Sequence, residues 1–124
     1  MSTEGLWLAY FTLTVAVELA VAVPLLRGAA PADEATLGRR VAAVLVANLA
    51  SHPLVWFVLV RLFASRTAYL LVAESWAVAS EAAVYALVFA SMPRARALGV
   101  SAVANGASFL VGFVVQRLLA AWAP

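Results

Sequence analysis

The chain has 124 residues, 66% of them hydrophobic and 11% charged, with a mean hydropathy of +1.02. A soluble domain is about half apolar and a quarter charged, so this composition excludes a water-soluble enzyme, a disordered tail and a coiled coil, and the lack of cysteine excludes a disulfide-stapled secreted domain. The net charge of +2 is the balance of eight arginines against six acidic residues, and the arginines are spread too thinly along the chain for nucleic-acid binding.

A membrane-spanning helix needs about 20 mostly apolar residues. The chain supplies four such runs, at 6–26, 41–63, 67–92 and 95–121. The first has no basic leader, is long, and carries Glu18 inside it, so it reads as a retained span rather than a cleaved signal. The connection at 27–40 contains Pro31 and Gly38 as breakers and the solvated pair Asp33 and Glu34; the other two connections are tight. Long runs without strict alternation argue against a β-barrel. Short links make neighbours antiparallel. The expected fold is therefore a single all-α integral membrane domain, residues 1–124, forming an up-down-up-down four-helix transmembrane bundle.

Five arginines (Arg27, Arg39, Arg40, Arg94, Arg96) fall on one side of this arrangement and three (Arg61, Arg66, Arg117) on the other. By the positive-inside rule the chain sits in the cytoplasmic (bacterial inner) membrane, with loops 27–40 and 92–96 cytoplasmic and both termini outside. The margin is small enough to leave insertion in both orientations, as an antiparallel dimer, open.

Ionisable side chains inside a membrane cost several kcal/mol and point to function by default. Four lie near mid-span, Glu18, His52, Glu74 and Glu81, accompanied by Asn48 and Asn105. Helical spacing places Tyr10, Thr14 and Glu18 on one stripe of the first helix, and Asn48 and His52 on one of the second. Glu74, Glu81 and Tyr85 share a stripe of the third. Ser101, Asn105, Ser108 and Gly112 share one of the fourth. Turned inward at about 1.5 Å per residue, Glu18, Asn48, Glu81 and Asn105 meet at one depth. A second pair, His52 and Glu74, is expected about 5–8 Å closer to the termini.

Pro53 frees the carbonyl of Leu49 and is expected to kink the second helix beside His52. The small-residue face of the fourth helix, Ala104 included, reads as packing. Trp7 and Trp122 read as interfacial anchors, Trp56 and Trp76 as core or lipid-facing, and Arg61 and Arg117 as snorkelling cations.

A metal centre would need more ligands than are evident. His52 with Glu18, Glu74 and Glu81 could supply a carboxylate-rich site in the manner of di-iron bundles, with His52 and Glu74 the weak candidates as ligands, but the Glu-x-x-His motif of those bundles is missing. Ser51 and His52 are adjacent and point about 100° apart, so they form no dyad. Nucleophile-elbow, P-loop and dinucleotide motifs are absent from the sequence. No cofactor is implied.

In length and helix number the chain resembles the small multidrug-resistance exporters, with Glu18 placed where they carry a glutamate in helix 1. Ala104–Gly112, reading ANGASFLVG, faintly resembles a stretch of the dual-topology fluoride channels. Neither resemblance is specific enough to carry residues over.

The reading that follows is a proton- or cation-handling transporter or channel, acting as a homo-oligomer in the lipid bilayer. Glu18, Glu81, Glu74 and His52 bind the ion; Asn48, Asn105, Thr14, Ser101, Ser108 and Tyr85 support them. The alternative is a non-catalytic accessory subunit or assembly factor whose buried carboxyls dock onto other membrane subunits. A membrane-embedded metal-binding or lipid-active enzyme stands third.

Overall fold

The computed structural model describes residues 3–28 and 30–122, and among them every regular element is a helix. Helix α1 spans Thr3–Arg27, α2 Leu37–Leu62, α3 Arg66–Val88 and α4 Arg94–Trp122. Each is long and apolar enough to cross a membrane. Their main contacts run α1–α2–α3–α4 and back to α1, which closes a four-membered ring. Large apolar side chains such as Leu49, Leu71, Leu87 and Leu110 point outward and stay exposed. A water-soluble protein could not carry that much exposed apolar surface. The core is correspondingly small-sided, with Ala22, Ala43, Ala47, Ala97 and Ala104 at the helix contacts, since small residues let backbones approach where the hydrophobic effect gives no help.

Two helix boundaries differ from the hydropathy pattern. Helix α2 begins at Leu37 rather than near 41, because Thr36 caps it by accepting the Arg39 backbone N–H. Arg39 and Arg40 therefore belong to the first turn of a helix rather than to a loop. Helix α3 ends at Val88 rather than 92. Pro93 disfavours a helical conformation at Met92, and its own carbonyl accepts the N–H groups of Arg96 and Ala97 at the start of α4. Ser65 caps α3 by accepting from the Ala68 N–H.

The break expected at Pro53 takes the form of a π-helical turn over Val55–Leu59, after which α2 regains α-geometry for Val60–Leu62. A π-turn is one of the ways a membrane helix absorbs a proline. The hydroxyl of Tyr69, from α3, donates to the Val55 carbonyl in this turn at 3.5 Å.

The two ends of the bundle are built differently. At the end that carries the 28–36 and 89–93 connections, Leu26, Ala35, Tyr85, Phe89 and Met92 are buried in one cluster. Arg40 donates to the carbonyls of Val23 (2.6 Å) and Ala35 (3.0 Å), and Arg39 donates to that of Val88. The Ser91 hydroxyl and backbone N–H both donate to the Glu34 carboxylate, joining the two connections. The opposite end, where α1 starts and α4 finishes, is open.

Candidate functional site

Midway along the bundle each helix presents a polar residue to the axis. Glu18 of α1 and Glu81 of α3 are 0% and 1% exposed. Asn48 donates to Glu18 Oε2 at 2.7 Å, and Ser108 donates to Glu18 Oε1 at 3.1 Å. Asn105 donates to Glu81 Oε2 at 2.6 Å, and Ser51 donates to Glu81 Oε1 at 2.9 Å. All four carboxyl oxygens thus receive a donor, and the four helices are laced together at one depth.

The arrangement has a hidden symmetry. Val15–Val21 and Val78–Val84 share the pattern V-A-x-E-x-A-V, and Ala47–Ser51 and Ala104–Ser108 share A-N-x-A-S. Exchanging α1 with α3 and α2 with α4 maps each bond of the cluster onto another. Asn48 to Glu18 becomes Asn105 to Glu81, and Ser51 to Glu81 becomes Ser108 to Glu18. The amides' second bonds obey the same exchange, Asn48 to the Val44 carbonyl and Asn105 to that of Ser101. The polar cluster is therefore two-fold symmetric, each helical hairpin supplying one glutamate, one asparagine and one serine. Each glutamate takes its asparagine from its own hairpin and its serine from the other.

Sequence reasoning found Glu18, Glu81, Asn48, Asn105 and Ser108, but considered Ser51 only as a partner for His52. The internal repeat was the signal that would have found it.

A cavity of about 910 Å³ runs from the open end to this cluster. Arg66, Gln116 and Arg117 stand near its mouth; Tyr10, Thr14, His52, Trp56, Tyr69, Glu74 and Phe113 form its walls; Asn105 and Ser108 form part of its floor. His52 and Glu74 share this cavity, but no hydrogen bond or ion pair joins them. Instead His52 meets Phe11 edge-on, with ring centroids 5.3 Å apart, and its buried Nδ1 has no partner. Trp56 stacks on Tyr10 (5.8 Å) and Trp7 on Phe11 (5.2 Å), so these indoles pack against other rings. Trp76 is 41% exposed, while the side chain of Trp122 lies outside the described residues. Arg117 lies over the Phe113 ring.

Of the remaining polar residues, Ser101 donates to the Val78 carbonyl and accepts from Asn105, Thr14 lines the cavity, and the Tyr85 hydroxyl is buried without a partner. Among the described residues, no three His, Asp or Glu side chains converge as a metal site would require.

These features define a small helical protein with four helices able to span a membrane and two glutamates buried among them. No family model, curated protein or solved structure matches the chain.

Proposed function

We propose that the chain is a membrane-embedded proton-handling transporter or channel in which Glu18 and Glu81 take up and release the transferred proton. The observation that carries this reading is the cavity floor. A space wide enough for water leads from one end of the bundle to Asn105 and Ser108, which are themselves bonded to the two carboxyls.

The donor set favours a proton over a metal cation. Every carboxyl oxygen faces an N–H or O–H, whereas a desolvated cation needs converging oxygen lone pairs. His52 and Glu74, on the cavity wall, extend the titratable path towards the mouth. The four helices of one chain line the whole cavity, so association with further copies would add to this pathway rather than create it.

Docking of the carboxyls onto another subunit would require them to reach a surface of the bundle. Their burial and internal saturation weigh against that accessory role.

The test is reconstitution into liposomes holding a trapped pH-sensitive dye, with a potassium diffusion potential as the driving force. Protein-dependent acidification, lost in Glu81→Gln and in Glu18→Gln, is the expected result. Wild-type vesicles no leakier than empty ones, or full flux in both variants, would overturn the reading.

A further inference from the structure

The repeat makes Ser51 and Ser108 chemical twins. Each hydroxyl donates to the glutamate of the other hairpin, and each also has the backbone carbonyl three residues earlier within reach. Their surroundings differ. Ser51 is 0% exposed, and the turn that follows it carries His52, which packs on Phe11, and Trp56, which packs on Tyr10. Ser108 is 8% exposed, and one turn on stands Gly112, where an added Cβ would meet nothing within 4 Å. The cavity accordingly touches Ser108 and Asn105, but neither Ser51 nor Asn48.

Resting on the proton-handling reading above, we infer that the Ser108 hydroxyl is the relay through which protons pass between cavity water and the carboxyl pair. Asn105 is the other cluster residue at the floor, but a carboxamide N–H is a poor proton shuttle, whereas a hydroxyl both donates and accepts. In the inward step a hydrated proton in the cavity is transferred to Ser108 Oγ as the proton already on Oγ moves to Glu18 Oε1. One O–H bond forms on serine as another breaks, the serine stays neutral, and Glu18 gains the proton. The hydroxyl resets by rotation. Its second acceptor, the Asn105 carbonyl at 3.0 Å, holds the rotated form. Ser51, which the cavity does not reach, gives Glu81 no matching route to cavity water.

The symmetry supplies the control. Ser51→Ala and Ser108→Ala each remove one donor from one buried carboxyl, so a purely structural role predicts equal effects. In the liposome assay, Ser108→Ala should slow proton flux by roughly 100-fold, the low end of what a positioned proton-transfer group supplies. Ser51→Ala should slow it by about threefold, the factor one average interhelical hydrogen bond represents. Ser108→Thr, which keeps the hydroxyl, should restore most of the rate. A second readout needs no transport: the rate at which the buried carboxyl infrared band appears after a rapid pH drop should fall in Ser108→Ala and hold in Ser108→Thr. Equal losses in the two alanine variants, or no rescue by threonine, would overturn the relay while leaving the proton-handling reading intact. Wild-type protein that conducts no protons would overturn both.

Discussion

Asn48 and Asn105 hold equivalent places in two hairpins, each donating one amide N–H to a glutamate and the other to the carbonyl one turn back on its own helix. Replacing either by leucine removes an interhelical bond and leaves a carboxyl oxygen without its donor. Each change should destabilise the bundle by about 0.6–1.7 kcal/mol in detergent, the range of interhelical bonds in membrane proteins. The two effects should be similar, and because the carboxyls are neighbours the double variant should depart from additivity. Unfolding titrations of the four proteins in the cycle measure this.

Ala47 and Ala104 are fully buried at matching positions of α2 and α4. Leucine at either site must push helices apart and should cost about 1–3 kcal/mol. Gly112 is the contrast, since a methyl group there meets nothing within 4 Å. Gly112→Ala should leave the melting temperature level or slightly raised, because alanine is the better helix former. Thermal unfolding of the three variants checks both halves.

Arg40 bridges two backbone carbonyls, those of Val23 and Ala35. Arg40→Lys keeps the charge but loses the fork that reaches both. It should destabilise the closed end by about 1.5–3 kcal/mol, the worth of a hydrogen bond to a charged group. Faster hydrogen exchange in 28–36, with the mid-bundle amides unchanged, would show that the loss is local.

Glu34 lies in a connection outside the spanning segments. The Ser91 hydroxyl, at 2.6 Å, and its backbone N–H hold the Glu34 carboxyl below its ordinary value, with a smaller contribution from Arg39. A lowered folded-state value means that the link stabilises fully above the unfolded glutamate value of about 4.3. That contribution falls away as the pH drops through the folded value. Wild-type protein should therefore lose stability on acidification through this region. Glu34→Gln should show a smaller loss there, in unfolding midpoints measured from neutral pH downward.

The helices and the inward stripes were legible because a span declares itself by length, and because Glu18, Asn48, Glu81 and Asn105 stand out against alanine, valine and leucine. Depth could be counted residue by residue, and the four do meet. Three things were not legible. Hydropathy cannot see a cap, so Thr36 and the early start of α2 were missed, as was the early end of α3 at Val88. Spacing gives depth but not azimuth, so His52 and Glu74 were expected to touch, although Phe11 takes the face of His52 and Glu74 faces the cavity. Ser51 was hidden because serine is unremarkable in a membrane helix until the second hairpin is laid over the first.

That repeat carries a topological consequence. The two hairpins run in the same direction, each starting and finishing at the open end of the bundle. By this symmetry, one hairpin set side by side with a copy of itself reproduces the glutamate–asparagine–serine cluster, with all chain ends at one end of the bundle. Within this chain the short stretch 63–65 is enough to join the two hairpins in that arrangement. The two halves differ at both ends: at the open end one has His52, Pro53 and Trp56 where the other has Phe109, Leu110 and Phe113, and at the closed end the connection 28–36 is longer than its counterpart 89–93.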